Sequence, residues 1–220
     1  MNDIFHELSA CVVSGDVATI RRLTDRALAE GMPANEILQT GLMPGMDLVG
    51  RRFKNGELFV PEVLLAAKTM QASMDILRPS LTGTGAKAAG RVVLGTVKGD
   101  MHNIGKNLVG IMLRGAGFEV IDLGIDVPAE RFVAAVNAER PDIVGMSALL
   151  TTTLLTMAET VKALRRSGAG ERVRIMVGGA PITQQFADEI GADGYGSNAG
   201  AAVDLAKRFM GISVPARSLP

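Results

Sequence analysis

The sequence contains no tryptophan, a single tyrosine (Tyr195) and a single cysteine (Cys11). Aromatic residues make up 4% of its 220 residues, too few for the stacking platforms on which readers of single-stranded nucleic acid depend. One cysteine permits no internal disulfide and no thiolate metal cluster. Neither sign of charge is in excess, with Lys plus Arg at 23 and Asp plus Glu at 23. Binding to a nucleic-acid backbone rests on surplus positive charge, so no nucleic-acid partner is expected. Long hydrophobic runs are missing too: no window approaches the roughly 18 apolar residues of a membrane span. The opening MNDIFHEL lacks the basic residues and unbroken apolar stretch of a secretory signal. Together these absences predict a cytoplasmic protein with no membrane partner.

What the chain does have is apolar content, 47%, arranged with two different periods. Up to Leu77 the apolar residues recur at helical spacing. Val17, Ile20, Leu23, Ala27 and Leu28 form one stripe, with Asp16 placed to cap it. Val63, Ala67, Met70, Met74 and Leu77 form another, entered through Pro61. The pattern predicts a bundle of four helices near 2–13, 16–30, 34–54 and 60–78, the third kinked at Pro44 and the last ended by Pro79. This all-α domain covers 1–79, and the small, glycine-rich SLTGTGAKAAG makes 80–90 a linker.

From 91 to 220 the pattern changes to short β-rich runs separated by helical segments. RVVLGTV (91–97), FEVIDLG (118–124), DIVGMS (142–147) and VRIMVGG (173–179) read as strands buried on both faces, with ADGYG (192–196) a weaker fifth. Helices are expected near 104–116, 128–139, 152–168, 182–190 and 198–210. Strict alternation implies parallel strands with right-handed crossovers, hence a doubly wound, Rossmann-like α/β domain. With five strands the expected order is flavodoxin-like, 2-1-3-4-5.

That order places a binding crevice between the loops after strands 1 and 3, where the winding direction reverses. The loop after strand 1 is GDMHNIGK (99–106), and the loop after strand 3 is Ser147-Ala148-Leu149. Next to them lies Gly178-Gly179-Ala180-Pro181, after strand 4. His102 is one of two histidines in the chain, and Asp100 stands two residues before it. In a turning backbone such a pair can face one side, so the carboxylate holds one ring nitrogen while the other meets a metal. Gly105 would let a bulky group approach the backbone where the next helix begins.

Asp-x-His-x-x-Gly is a short spacing that also arises by chance, and a satisfied structural histidine is the alternative. Its place at the switch point favours a ligand. One histidine is too few for a protein-built zinc or iron site, because His6 belongs to the first helix and thiolates are absent. A metal here would arrive inside a macrocycle with one axial position left for protein, and haem and corrinoid both meet that description. A dinucleotide is the rival, but the turn carries neither G-x-G-x-x-G nor a Walker loop.

These residues resemble a known family, the cobalamin-binding methyl-carrier proteins of methyltransferase systems and the cap plus cobalamin module of methionine synthase. GDMHNIGK is similar to the family's Asp-x-His-x-x-Gly signature, SALLTTT (147–153) to its Ser-x-Leu segment, and VGGAP (177–181) to its Gly-Gly turn. The resemblance implies a cobalamin or related corrinoid with His102 as lower axial cobalt ligand, base-off and His-on. Asp100 would hydrogen-bond His102, and Thr153, where the family often has serine, would extend the relay and couple ligand release to proton uptake. The displaced nucleotide tail would enter a slot lined by Ser147 and Leu149, with Thr151 near its polar part. Gly178 and Gly179 would leave room for the base, and GADGYGSNAG (191–200), including Tyr195, would close the far end. Asn103 departs from the family's usual aspartate, outside the relay.

RRFKNGELFVPEVLLAAKTM (51–70) is similar to the family's helical cap. That likeness puts Phe53 and Val60, the latter usually leucine, above the cobalt; ordinary bundle core is the alternative. The implied function is to carry a methyl group on cobalt between a substrate-specific methyltransferase and a second methyltransferase or acceptor, such as a tetrahydrofolate or thiol. A reductive activase is a further implied partner, and the 80–90 linker the implied hinge. No catalytic residue beyond the cofactor is expected. Three other readings compete: a mutase-type cobalamin module, which would lack the cap, a corrinoid-dependent regulator, which would carry a basic DNA-reading domain, and a flavodoxin-like domain for another ligand.

Overall fold

A computed structural model describes residues 2–81, 88–168 and 172–214. The chain divides into two compact units, Met1–Ala88 with Arg114–Gly117, and Ala89–Leu113 with Phe118–Pro220. The expected linker falls for the most part, at 82–87, outside the described residues.

The first unit is helical: α1 (Asn2–Ser14), α2 (Val17–Ala29), α3 (Ala34–Glu36), α4 (Met43–Lys54) and α5 (Val60–Leu81). Asp16 caps α2 as its type and place require, its carboxylate accepting the Thr19 N–H at 2.9 Å. Between α3 and α4 the chain stays helical but widens into a π-helical stretch, Ile37–Leu42. The expected kink at Pro44 is thus a local change of pitch. Proline supplies no N–H and crowds the carbonyl four residues back, and the turn ahead of it opens to accommodate both. At the start of α5, Glu62 accepts the Phe59 N–H at 2.7 Å, and Pro61 fills a position whose N–H would lack a partner. The expectation that Pro79 ends this helix is incorrect, because α5 continues to Leu81 with Pro79 inside it. In a final turn proline removes only one ladder bond, too little to stop a helix that is otherwise packed. Leu8, Val12, Ile20, Ile37, Leu42, Val49, Val63 and Leu77 are fully buried in this unit. Burial of each such side chain contributes about 1.5–3 kcal/mol.

The second unit alternates strand and helix: β1 (Arg91–Thr96), α6 (Ile104–Gly115), β2 (Glu119–Asp122), α7 (Ala129–Glu139), β3 (Ile143–Ser147), α8 (Leu154–Arg166), β4 (Arg174–Gly178), α9 (Gln184–Glu189), β5 (Gly194–Tyr195) and α10 (Ala199–Phe209). All pairings are parallel, in the order β2-β1-β3-β4-β5, as the alternation predicts. β1, β3 and β4 are largely buried. β2 departs from the expected burial on both faces, with Glu119 and Asp122 exposed, because it is an edge strand.

Strand alternation sorts the side chains onto two faces. Val93, Val144, Ile175 and Val177 join Phe132 of α7, Met157 and Val161 of α8 and Ala187 of α9 in one core. Leu94, Gly145 and Met176 form a row across the sheet and, with Val109 of α6 and Ala202 of α10, line a cleft. Among the described residues no helix is long and apolar enough to cross a membrane.

Candidate functional site

After β1 the chain turns at Gly99, whose φ of +85° suits glycine, and α6 begins at Ile104. The Asp100 N–H donates to the Val97 carbonyl at 3.1 Å, which aims the Asp100 side chain inward, where it is fully buried. Its Oδ1 accepts the His102 main-chain N–H at 3.0 Å and lies 2.7 Å from His102 Nδ1. Its Oδ2 accepts the N–H groups of Leu149 at 2.6 Å and Leu150 at 3.1 Å, and the Thr153 hydroxyl at 3.2 Å. Burial alone would push the Asp100 carboxyl up, but the donors from His102, Leu149 and Leu150 outweigh it and hold the group well below the usual carboxylate range. An ionised carboxylate only accepts, so Nδ1 of His102 is the donor in this contact. In the neutral ring that leaves the Nε2 lone pair free, on a side chain that is 51% exposed.

The main chain of His102 is held as well. Thr96 at the end of β1 donates its hydroxyl to the His102 carbonyl at 2.9 Å, and the Ser147 hydroxyl lies 2.9 Å from the same Thr96 oxygen. With the Thr96 proton committed to His102, Ser147 is the donor of that pair. Thr153, at the end of the 3-10 turn Thr151–Thr153, shares its one hydroxyl proton between Asp100 and the Leu150 carbonyl, the latter at 2.8 Å.

Two clefts open at this end of the sheet. One, of about 340 Å³, is lined by Met101, His102, Ile104, Gly105, Ser147 and Leu149 among others. The other, of about 280 Å³, runs between α6 and α10 and includes Leu94, Val109, Met176, Gly178 and Tyr195. Gly105, Lys106, Ser147 and Gly179 line both. A Cβ on Gly105 would meet nothing within 4 Å, so the chain itself leaves space there. Gly179 is dictated by the protein's own backbone: with φ at +138°, a Cβ would stand 1.8 Å from the Ala148 carbonyl oxygen. This close approach seats the loop after β4 against the loop after β3.

Of the site residues expected from sequence, Asp100, His102, Thr153, Ser147 and Leu149 are brought together, and Gly105, Gly178, Gly179 and Tyr195 line the clefts. Thr151 is exposed and lines neither cleft. Phe53, in α4, and Val60, which opens α5, are half-buried in the helical unit.

Sequence reasoning missed three contributors. Thr96 carries no motif signal, being the last residue of a buried strand. Lys106 is buried, and its ammonium contacts Asp122 at 2.6 and 2.5 Å and Asn107 at 2.8 Å, so all three donors are used beside both clefts. Asp126, in the loop after β2, accepts the Gly99 N–H at 2.7 Å. The strand order could have found the last two, since it sets the end of β2 beside the end of β1.

The arrangement fits a metal that arrives inside a macrocycle. Among the described residues no group of three or more His, Cys, Asp and Glu side chains could hold a bare ion. His102 alone offers one nitrogen. In the same unit Met101, Ile104, Leu149, Leu150 and Leu155 are 40–77% exposed, an apolar surface suited to a large flat group.

Comparison with known proteins agrees with this chemistry. Residues 90–204 and 4–78 match two family descriptions, each termed a B12 binding domain. A corrinoid protein of Desulfitobacterium hafniense strain Y51 is 40% identical over 211 residues, covering 94% of this chain and 98% of that protein. Dimethylamine corrinoid protein 2 of Methanosarcina acetivorans is 44% identical over 209 residues, covering 94% and 96%. Among solved structures, a chain of the methanol:cobalamin methyltransferase complex of Methanosarcina barkeri is 30% identical, with a TM-score of 0.85 over 95% of this chain and 80% of that one.

Proposed function

The chain belongs to the B12-binding family of corrinoid proteins, and on that premise we propose that it is a methyl carrier, serving between a substrate-specific methyltransferase and a second methyl acceptor. A bound corrinoid supplies a cobalt centre that accepts and releases a methyl group. The observation that carries the reading is the direction of His102. Asp100 occupies Nδ1, so Nε2 is the nitrogen that would hold the cobalt.

The chain's own residues then do three things. Asp100 fixes the ring tautomer and makes the imidazole a stronger ligand when the metal is electron-poor, while Thr153 and the Leu149 and Leu150 N–H groups keep the carboxylate ionised. The same carboxylate would hold the Nδ1 proton whether Nε2 meets the metal or a proton, so Asp100 would serve the ring in either state. The cleft between α6 and α10, lined by Ser147, Gly178, Gly179 and Tyr195, would accept the displaced nucleotide tail, with Leu149 in the neighbouring cleft.

In the same reading the helical domain 1–79 is the cap, Phe53 and Val60 shield the methyl group from water, and 80–90 is the hinge. The partners are a substrate-specific methyltransferase, a second methyltransferase and a reductive activase. A methylated amine is the first donor class to assay, because several relatives at 39–44% identity are named as dimethylamine or trimethylamine corrinoid proteins.

Reconstitution with aquocobalamin tests the assignment. The wild type should take up one corrinoid and show the visible spectrum of a histidine-ligated cobalamin, and His102→Ala should bind it with a water- or base-ligated spectrum. An unchanged spectrum in the variant would remove His102 from the metal.

A further inference from the structure

Asp126 lies outside every motif that marks this family in the sequence, yet it touches the ligand-bearing turn twice. Its Oδ1 accepts the Gly99 N–H at 2.7 Å, and its own N–H donates to the Asp100 carbonyl at 3.1 Å. The two bonds hold adjacent residues of the turn from the loop after β2. Both fall on backbone atoms, so the Asp100 carboxylate remains committed to His102, Leu149, Leu150 and Thr153.

Asp126 has a φ of +53°, and among the described non-glycine residues only Arg140 shares a positive φ. Arg140 is the left-handed residue that closes α7, a common helix ending. Asp126 ends no helix. Aspartate is among the few side chains that enter this region, and surrounding contacts must offset the cost. Those contacts are present on both sides. Thr96 donates its N–H to the Gly124 carbonyl at 3.0 Å, and Val127 donates to the Thr96 carbonyl at 2.9 Å, so the loop is pinned to the end of β1 before and after Asp126.

We infer that Asp126 is a positioning residue for cobalt ligation: it sets the Gly99–Asp100 backbone so that the Asp100–His102 pair is aimed before the corrinoid binds. The inference rests on the reading of His102 as the lower ligand. It assigns the loop after β2 a part in the site, beside the loops after β1, β3 and β4.

Two substitutions separate the acceptor from the backbone conformation. Asp126→Gly keeps a left-handed residue and deletes the acceptor, whereas Asp126→Asn keeps both. Each protein is reconstituted with aquocobalamin and reduced to the cobalt(II) state. With the proteins labelled with nitrogen-15 histidine, paramagnetic resonance then gives the ratio of histidine-bound to histidine-free cobalt from the twofold nitrogen splitting, which the corrinoid's own base, splitting threefold, does not produce. Asp126→Gly should lower that ratio about tenfold, the effect of losing one charge-assisted bond to the turn, and Asp126→Asn should stay within about twofold of wild type. A wild-type ratio in Asp126→Gly, or an equal loss in both variants, would overturn the positioning role. His102→Ala is measured alongside. If the twofold splitting survives there, the ligand reading itself fails, an outcome distinct from a null result at Asp126.

Discussion

His102 Nδ1 stands 2.7 Å from Asp100 Oδ1, and that same oxygen accepts the His102 main-chain N–H at 3.0 Å. One oxygen therefore fixes both the ring and the backbone of the residue, while the other ties the carboxylate to the loop after β3. The turn after β1 and the loop after β3 share one buried anion, and a change at either is transmitted to the other.

Thr153 donates the longest of the bonds to that anion, so its removal should weaken ligation without abolishing it. Thr153→Val deletes the hydroxyl at nearly constant volume. It should cost about 1 kcal/mol of stability in urea unfolding and shift the cobalamin spectrum toward the water-ligated form. Thr153→Ser should match wild type in both measurements. Loss of ligation in the serine variant would mean that the methyl group of Thr153, and not its hydroxyl, carries the effect.

Asp100→Asn should act more strongly. The amide presents two donors and one acceptor where the site requires acceptors only, leaving buried N–H groups short of partners. A destabilisation of roughly 1–3 kcal/mol is expected, together with loss of the histidine-ligated spectrum. Unchanged ligation would show that the ring is held by something other than Asp100.

Gly179→Ala should fail for reasons internal to the chain. The new Cβ would fall 1.8 Å from the Ala148 carbonyl oxygen, in a backbone conformation that L side chains rarely adopt. Displacing the loop after β3 is the only relief, at a cost of about 2 kcal/mol or more. A marked fall in Tm and loss of corrinoid uptake are expected, and a variant with wild-type Tm would contradict the close approach.

At the other end of the sheet, Asp193 braces β4 and β5. It receives Arg165 at 2.6 Å, Arg174 at 3.1 Å and the Ile175 N–H at 2.7 Å. Burial raises its carboxyl, but the Ile175 N–H and the two guanidinium groups outweigh it and lower the pKa below the usual value. Above about pH 4, where an unfolded aspartate is ionised, its contribution is complete. As pH falls the unfolded chain takes up the proton first, and the contribution erodes toward the lower folded pKa. Asp193→Asn should therefore be less stable than wild type by roughly 1–3 kcal/mol at pH 7, with the gap closing as the pH drops below about 4. A gap independent of pH would refute the electrostatic origin.

Much of this was legible in the sequence because it depends on periodicity and strand order. Apolar β-rich runs alternating with helical stripes permit few topologies, and the order of the five strands placed GDMHNIGK at the crevice before any contact was known. Proline effects were less legible. Pro44 and Pro79 are marked as breakers by local rules, but the chain absorbs the first as a π-helical stretch and α5 runs through the second. Contacts made to main-chain atoms left no residue-type signature, only the neighbourhood that strand order sets. Asp126 binds a backbone N–H 27 residues away, and nothing in the identity of Gly99 announces an acceptor in the loop after β2. Lys106 adjoins the motif, but its partner Asp122 follows 16 residues later and is brought near only when β2 pairs with β1.

Isotopic labelling distinguishes an imidazole nitrogen of His102 on cobalt from the corrinoid's own base. The protein is prepared with nitrogen-15 histidine, loaded with aquocobalamin of natural isotopic abundance and reduced to cobalt(II). A histidine ligand converts the threefold nitrogen splitting of the paramagnetic resonance spectrum into a twofold one, and His102→Ala should abolish that twofold splitting while His6→Ala preserves it. A threefold splitting in the labelled wild type would show the corrinoid's own base still bound, and would contradict the account.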